Sequence, residues 1–384
     1  MQRKRITAYT GVNKTIRDIL RSDMKHPKRP LLSEANQRLR IGAFVAVFAA
    51  MGVTAVILTR AATPTASVEV EDGAASGSAT VMTDAAASSG GYIKFSGQII
   101  DITATSGTDQ AILQRAIDTA PAHATIRVNG TGYAAQTVRN TSTNVTVVGA
   151  AGAVLPRLAL TNVQNVTFSN LRIYGFTQNG GVEVHENSAH LRFDNVIIDA
   201  SASSIVCGVN ANTVRGMSIS SATSADTTTW PDDIWVSNSN ISGATVDQIA
   251  VYTGGNNLHL INNTIHDFRS GSCDINDEHN DGIQLVNASN VEIRGNTFYS
   301  PPGRTGGPDQ AIIASTTGTQ HIENLVIADN IIHDWPGTGI IVSGSAITNA
   351  SITGNTISCA WGGVVIGAST DATASGNIVN LTAC

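Results

Sequence analysis

Short runs in which apolar and polar residues alternate fill most of the chain after residue 93, and many of the apolar residues are β-branched. Runs of this kind predict β-strands. One motif returns among them: an apolar residue, two small or polar residues, asparagine, any residue, and a second apolar residue. It occurs as LINNTI, IRGNTF, IADNII and ITGNTI, with a weaker copy in ASGNIV. The repeated asparagines are Asn263, Asn296, Asn330, Asn355 and Asn377.

The repeat predicts how these strands are arranged. Self-similarity over a few tens of residues is typical of a solenoid, and no helical period separates the strands. In a parallel β-helix each coil stacks on the previous one at about 4.8 Å. Equivalent asparagines then form a ladder of hydrogen-bonded amides inside a turn. We therefore predict an all-β solenoid in which the asparagines are structural.

An amphipathic helix is predicted at the start of the solenoid. In GTDQAILQRAIDTA, Asp109 is placed to cap a helix, and Ile112, Ala116 and Ile117 follow at helical spacing. With the asparagine repeat, this segment resembles the pectin-lyase-like superfamily of right-handed parallel β-helices, in which such a helix closes the open N-terminal end. The resemblance implies the fold over roughly residues 95–384. It leaves the chemistry open, because this scaffold carries lyases, hydrolases, epimerases, tailspikes and adhesins.

The uncharged stretch IGAFVAVFAAMGVTAVIL, residues 41–58, has the length of a short membrane span. A cleaved signal peptide looks similar, but the long basic segment before it favours an uncleaved anchor with its N-terminus in the cytoplasm. Either way, we expect residues 61–384 to be extracytoplasmic. They would lie at the cell surface if the segment is an anchor, and they would be secreted if it is cleaved. The predicted organisation is a cytoplasmic segment 1–40, a transmembrane helix 41–58, an Ala/Ser/Gly-rich linker 59–92 and a β-helix domain 93–384.

Charge excludes one class of partner. Residues 1–40 contain 11 of the 23 Lys and Arg but three of the 29 acidic residues, so the remainder of the chain is strongly acidic. Such a surface does not neutralise phosphates, and we expect no nucleic-acid binding.

The cysteines lie beyond the predicted span, where disulfides persist, and both disulfides and buried free thiols fit the sequence. They are Cys207, Cys273, Cys359 and Cys384.

Aspartates are repeated at the start of three successive strands. Asp247 precedes QIAVY, Asp281 precedes GIQLV and Asp309 precedes QAIIA. We expect them to form a ladder of carboxylates on neighbouring coils. Like charges this close require a bound cation, a raised pKa on one member or full solvation. The non-functional alternative is that each aspartate forms a turn with the nearby backbone.

Two insertions, DFRSGSCDINDEHN and YSPPGRTGGP, precede the second and third of these strands. Insertions in a solenoid map to one face, often the binding face, so we expect a groove there. The catalytic candidates are Asp281, Asp309, His279 and Arg304. The substrate-binding candidates are Arg269, Gln284, Tyr299 and Gln310. The candidate ligands of a Ca²⁺ ion are Asp247, Asp277, Glu278, Asp281 and Asp309.

Three interpretations of this groove remain open. Ca²⁺-dependent β-elimination on an acidic polysaccharide, slightly favoured, uses the carboxylates as ligands and His279 or Arg304 as the base. Epimerisation would use the same residues, and the sequence does not separate the two. Glycoside hydrolysis uses two carboxylates, and HNDGIQ and PDQAII resemble motifs of polygalacturonase-type hydrolases. The chain differs from those motifs at Gln310, where the motifs have an acid, and at Thr338, where they have a histidine. The third interpretation is a non-catalytic glycan-binding or adhesin solenoid, and an exposed last coil also predicts self-association.

For two further groups of residues a structural interpretation is favoured over a site, and one of these groups includes the substrate-binding candidate Tyr299. His266, Tyr299 and His333 occupy equivalent places on successive coils, which predicts a packed column of rings. The segment VEVHE, which contains Glu183 and His185, is interpreted as solvated surface two or more coils from the aspartates.

Overall fold

The structure is a computed structural model, and its described residues all fall within the unit Ala75–Cys384. No helix among the described residues is long and apolar enough to cross a membrane. The predicted span 41–58 lies outside them. The described residues are 79–83, 91–95, 97–104, 106–176, 179–202, 214–223, 225–268, 280–300, 310–368 and 370–382.

The first two strands, Ala79–Thr83 and Gly91–Phe95, pair antiparallel as a two-stranded sheet. They fall largely within the segment predicted as a linker. The solenoid strands that follow, from Ile99–Thr103 onward, pair in parallel.

The predicted helix is present as Ile112–Thr119, and it buries Leu113, Ala116 and Ile117. The cap prediction was wrong in detail, because the N-cap is Ala111 and makes no side-chain capping bond. Asp109 instead accepts the Ala111 N–H at 3.1 Å, a local turn of the kind that aspartate favours.

Each coil passes in turn through three faces, which we call sheets 1, 2 and 3. Sheet 1 contains Gln136–Thr141, Leu158–Val163, Asn179–Val184, Val214–Ile219, Ile249–Val251, Ile283–Leu285 and Gln310–Ser315. Sheet 2 contains Ile99–Thr103, Thr125–Asn129, Val145–Gly149, Val166–Ser169, Ala189–Asp194, Asp232–Ser237, Asn256–Ile261, Ala288–Arg294, Ile322–Ala328, Ile347–Thr353 and Ala372–Ser375. Sheet 3 contains Val154–Leu155, Arg172–Tyr174, Ile197–Asp199, Asn240–Ser242, Thr264–His266, Thr297–Tyr299 and Ile378–Asn380.

Two long strands, Ile331–Ser343 and Thr356–Ile366, run from sheet 3 round the corner into sheet 1. The two sheets are therefore hydrogen-bonded as one 16-stranded sheet, beside the 11 strands of sheet 2, among the described residues. Short 3-10 turns at Ala200–Ala202 and Thr227–Thr229 interrupt the coils. The prediction of an all-β parallel β-helix with a helix near its start is confirmed.

The asparagine ladder is also confirmed. Asn263, Asn296, Asn330 and Asn355 are at most 1% exposed, and the Oδ1 of each next asparagine accepts the backbone N–H and the Nδ2 of the previous one. Asn377 continues the ladder at 3.0 and 2.9 Å. These bonds satisfy amides that would otherwise be buried without partners.

The residue before each ladder asparagine explains the rest of the motif. Asn262, Gly295, Asp329, Gly354 and Gly376 have φ values between 55° and 66°. Glycine, asparagine and aspartate tolerate this left-handed region best. The motif is therefore a turn in which one residue reverses the backbone and the next bonds to the neighbouring coil.

Aliphatic and aromatic side chains fill the interior. Phe168 and Phe193 stack at 5.1 Å on neighbouring coils, and Phe268 and Phe298 pack edge-on against the fully buried Trp335 at 5.0 and 6.3 Å. Aromatic pairs of both geometries add to the burial of apolar area. The core therefore holds each coil in register with the next.

One of the four cysteines is described. Cys359 is disulfide-bonded, which is the form that an oxidising compartment maintains. Cys207, Cys273 and Cys384 lie outside the described residues.

Candidate functional site

The register of sheet 1 shows which residues occupy equivalent positions on successive coils, and so where the predicted site residues lie. Ile249 pairs with Ile283, and Ile283 pairs with Ile312. Two residues before each of these core positions, the chain turns the corner from sheet 3. We call these positions the corner column; they are Gly180, Arg215, Asp247, Asp281, Gln310, Thr338 and Gly362.

The prediction of three aspartates in this column was wrong by one residue. Gln310, not Asp309, pairs with Thr338, and its backbone N–H donates to Asp281 Oδ1 at 2.9 Å. The prediction matched Ala311 with Ile283, whereas Ile312 is the residue that pairs with Ile283. A shift of one residue moves a side chain to the other face. Asp309 itself lies outside the described residues.

Asp247 is the centre of a buried polar cluster. Its side chain is fully buried. Its Oδ2 accepts a short hydrogen bond from the Tyr252 hydroxyl and a 3.4 Å hydrogen bond from Arg215 Nε. Its Oδ1 lies 3.4 Å from the backbone N–H of Asp281. Both oxygens are therefore engaged by donors from neighbouring coils.

Arg215 and Tyr252 also contact each other. The guanidinium lies 4.7 Å from the centre of the Tyr252 ring, and its Nη2 donates to the hydroxyl at 3.2 Å. Burial raises the pKa of the Asp247 carboxyl, and the hydrogen bond from Tyr252 and the charge of Arg215 offset this only in part. Burial and the Asp247 charge raise the pKa of Tyr252 as well. Tyr252 therefore stays protonated and donates.

Buried amides adjoin the two aspartates. Gln284, a predicted substrate-binding residue, is 9% exposed and pairs with Ala250 in the middle of sheet 1. Its Oε1, like those of Gln248 and Gln310, has no hydrogen-bond partner among the described residues. Unpartnered buried acceptors are rare in folded proteins. These oxygens are suited to accept hydrogen bonds from hydroxyl groups of a ligand.

Glu183 contradicts its interpretation as solvated surface, because it is 7% exposed. Its Oε2 forms a short ion pair with Arg157 and lies 3.4 Å from His185 Nε2, while its Oε1 accepts the Gly180 N–H at 3.0 Å. Burial opposes ionisation, but these hydrogen bonds and the Arg157 charge outweigh it and lower the pKa of Glu183 to about 2. Glu183 lies on the same face as Gln284, three coils earlier.

The outer face of sheet 1 therefore has two regions. We call the first the polar strip; it contains Arg157, Glu183, His185, Arg215, Ser220, Asp247, Tyr252, Asp281, Gln284 and Gln310. In the later coils the middle positions are aliphatic: Ile313, Ile341 and Val365 pair with one another and continue the row that holds Gln284. The change of chemistry occurs without any change of register.

Sequence reasoning did not select Arg157, Arg215 or Tyr252. Arg215 stands two residues before Met217, as Asp247 stands two residues before Ile249, and these core residues pair. Alignment by core residues would have found Arg215 from the sequence. Arg157 and Tyr252 needed the folded geometry.

Of the remaining predicted residues, Tyr299 is the one that the structure describes, and it does not lie on the strip. Tyr299 lies on sheet 3, stacked between His266 and His333 at 4.8 and 5.4 Å, which confirms the predicted packing column. The remaining candidates lie outside the described residues: Arg269, Asp277, Glu278, His279 and Arg304.

The described residues do not assemble the predicted Ca²⁺ site. No group of three or more His, Cys, Asp or Glu side chains among them is placed to hold a metal ion. Asp247 fits such a role poorly, because Tyr252 and the cationic Arg215 already engage its Oδ2, whereas Ca²⁺ requires several free oxygen ligands. Asp277, Glu278 and Asp309 lie outside the described residues.

The stacked coils, the amide ladder and the polar outer face define a parallel β-helix protein. A family model described as a right-handed β-helix region matches residues 157–378, more than half of the chain. The chain belongs to this right-handed β-helix family, as the predicted resemblance implied.

Solved structures offer more distant similarities. The chain is similar to an alginate lyase from Paenibacillus, with 14% identity, a TM-score of 0.37, and 73% of this chain and 95% of that chain covered. It is also similar to PfbA, a surface adhesin of Streptococcus pneumoniae, with 10% identity, a TM-score of 0.42, and 73% and 91% covered. A third is a tailspike capsular polysaccharide depolymerase of the Acinetobacter baumannii bacteriophage Fri1, with 13% identity, a TM-score of 0.37, and 80% and 67% covered. A search of curated protein sequences finds no match.

Proposed function

We propose that the chain acts on an acidic polysaccharide, which lies across the polar strip and is hydrolysed beside Asp247 and Asp281. One observation carries this proposal: Asp247 is a fully buried carboxyl with a raised pKa, its Oδ1 lies 3.4 Å from the backbone N–H of Asp281, and the Asp281 side chain is also fully buried. Perturbed acids in a polar patch are functional-site candidates. Hydrolysis of a glycosidic bond requires such a pair.

The two carboxylates have different roles in this proposal. Asp247 holds its proton to higher pH than an ordinary aspartate, so it is the proton donor to the leaving oxygen. Asp281, on the next coil at about 4.8 Å backbone spacing, is the base or nucleophile. Its Oδ1 is oriented by the Gln310 N–H at 2.9 Å.

Recognition is assigned to the exposed edges of the strip. The side chains of Arg215 and Arg157 are 24% and 30% exposed, and guanidinium groups bind carboxylates well. The buried oxygens of Gln284 and Gln310, which have no hydrogen-bond partner among the described residues, would accept sugar hydroxyls once a ligand displaces the side chains that cover them. The polymer would run across the coils. The β-helix domain would meet it outside the cytoplasm, where the predicted anchor 41–58 would hold the domain at the membrane.

Hydrolysis is favoured over Ca²⁺-dependent β-elimination at this position. The Arg215 guanidinium lies 3.4 Å from Asp247 Oδ2 and would repel a divalent cation there. The β-elimination mechanism would also assign no role to the raised pKa of Asp247.

Glycan binding without cleavage is the second candidate, and the burial of the acids favours it. Asp247 and Asp281 are both 0% exposed, so a substrate must displace their cover to reach them. In this alternative the aspartates hold Arg215 and Tyr252 in place for binding.

The deciding experiment uses the full-length protein on polygalacturonate, alginate and neutral dextran, with and without a chelator. New reducing ends and the absorbance of unsaturated products are followed together. We expect reducing ends from an acidic polymer, no unsaturated product, no effect of chelation, and a loss of about a hundredfold or more in Asp247→Asn.

Thr338→Ser is the matched control, because Thr338 occupies the corner column in a later coil. It should retain full activity. Chelator-sensitive unsaturated products would establish the lyase instead. Binding without any product would establish the second candidate, and neither binding nor cleavage would refute the proposal.

A further inference from the structure

A serine, a histidine and a glutamate meet at the far side of the polar strip. His185 and Ser220 are aligned on neighbouring coils, one residue beyond the paired Val184 and Ile219. The Ser220 Oγ lies 3.5 Å from His185 Nδ1, and His185 Nε2 lies 3.4 Å from Glu183 Oε2. A nucleophile, a base and an orienting carboxylate are therefore in series across two strands.

Electrostatics fixes the direction in which this series works. Glu183, with a pKa of about 2, is ionised at neutral pH and can only accept hydrogen bonds. The proton of a neutral His185 must therefore lie on Nε2, where it donates to Glu183. The lone pair of Nδ1 then faces the Ser220 hydroxyl, as a general base requires.

Burial places each member suitably for its role. Glu183 is buried and held by Arg157 and the Gly180 N–H. The His185 side chain is 33% exposed, and Ser220 is partly exposed. The orienting acid is thus shielded, whereas the hydroxyl and the base are open to a ligand on the face of sheet 1. Distances of 3.4–3.5 Å are loose, as catalytic hydrogen bonds often are without substrate.

We propose that Ser220, His185 and Glu183 hydrolyse carboxylic esters. The Ser220 Oγ attacks the ester carbonyl carbon while its proton moves to His185 Nδ1. His185 returns that proton to the leaving alkoxide, and the acyl group remains on Ser220. A water molecule, deprotonated by His185, then attacks the acyl-serine; the products are an alcohol and a carboxylic acid, and Ser220 regains its proton.

The substrate class follows from the position of the triad. It shares the outer face of sheet 1 with the acidic pair, since Ser220 lies one coil before Asp247 and His185 and Glu183 lie two coils before it. O-acyl groups carried by a polysaccharide are therefore the fitting esters. This part of the inference rests on the proposed function, whereas the ester chemistry itself does not.

The test uses the full-length protein, p-nitrophenyl acetate as the probe, and a fluorophosphonate that labels activated serines. We expect hydrolysis above buffer and one adduct, located at Ser220 by peptide mass mapping. Ser220→Ala should lower kcat/KM by about a hundredfold or more and abolish the adduct. The double variant Ser220→Ala/His185→Ala should be no worse than Ser220→Ala, because triad members act as a unit.

Ser218→Ala is the matched control, since Ser218 lies on the same strand and Ala250 fills its position on the next coil. It should keep wild-type hydrolysis and labelling. Equal rates in Ser220→Ala and Ser218→Ala, or an adduct elsewhere, would overturn the inference. Release of acetate from acetylated pectin without new reducing ends would uphold the ester inference and refute the proposed glycoside site, whereas new reducing ends without release of acetate would overturn the ester inference alone.

Discussion

Two columns of polar residues run along this solenoid and differ in composition. The inner column repeats one residue, from Asn263 to Asn377, and each amide bonds to the next. The corner column outside sheet 1 changes from Arg215 to Asp247 and Asp281 on successive coils. Identical amides satisfy one another, because each is both donor and acceptor. A mixed column of charges does not repeat a bond, and each residue needs its own partners.

The two columns therefore differ in their role: the inner column stabilises the fold, and the outer column contains the candidate functional residues. The inner column contributes to the stability of every coil in the same way. The outer column buries carboxylates at a cost, since burial raises the pKa of Asp247 despite its partners. Residues that lower stability and are nevertheless built into a fold are typical of functional sites.

The largest expected effect is on the inner column. Asn296→Ala removes the acceptor of the Asn263 N–H and Nδ2 at 2.8 and 3.0 Å, and the donor to Leu260 O at 2.8 Å. Buried groups left unpaired should lower the free energy of unfolding by about 4 kcal/mol. Urea unfolding would measure this, with the exposed-face variant Ser351→Ala as a control that stays near wild type. Equal stability of the two variants would contradict a structural ladder.

The second effect is a pH dependence in the polar strip. The pKa of Glu183 falls from 4.5 to about 2 in the folded protein. Its ionised form therefore stabilises the fold above pH 4.5, and this contribution is lost as the pH falls towards 2. The stability difference between wild type and Glu183→Gln should shrink by about 3 kcal/mol over that window. A difference that does not change with pH would mean that Arg157 does not stabilise the carboxylate.

The third effect has the opposite sign. The pKa of Asp247 is raised above its ordinary value, so its ionisation costs stability as the pH rises through about 4 and beyond. Asp247→Asn should be more stable than wild type by about 1 kcal/mol at pH 7 and equal to it near pH 3. Thermal unfolding at both pH values tests this. A destabilised variant at pH 7 would make Asp247 a structural residue.

The smallest effect is expected in the later coils. Ile341 continues the row of Gln284 on the outer face, where it is partly exposed. Ile341→Thr should change stability by less than about 0.5 kcal/mol and leave activity unchanged. A loss of glycan binding in this variant would extend the site beyond the polar strip.

Much of the fold could be predicted from the sequence, because the turn imposes local demands. An αL residue followed by an amide, as in Gly295-Asn296, leaves a recognisable motif at each coil. The ring column around Tyr299 was predictable for the same reason, since equivalent positions on stacked coils lie in contact.

The site was predictable only in part. The equivalent corner positions of Asp247 and Asp281 were predicted correctly, but Asp309 was placed in the corner column by a one-residue error in register. Whether a polar residue is buried depends on partners far away in sequence, such as Arg157 for Glu183, and no local pattern carries that information. Arg215 was overlooked because its coil begins with an arginine instead of an aspartate.

The most direct test of the central claim measures the affinity for polygalacturonate and alginate oligosaccharides by calorimetry. Three proteins are compared: wild type, Arg215→Gln and Ile341→Thr. If the polar strip binds an acidic glycan, Arg215→Gln should weaken binding at least tenfold, because a charge-assisted contact is lost, while Ile341→Thr binds like wild type. Unchanged affinity in Arg215→Gln would contradict the assignment of the strip as the glycan site.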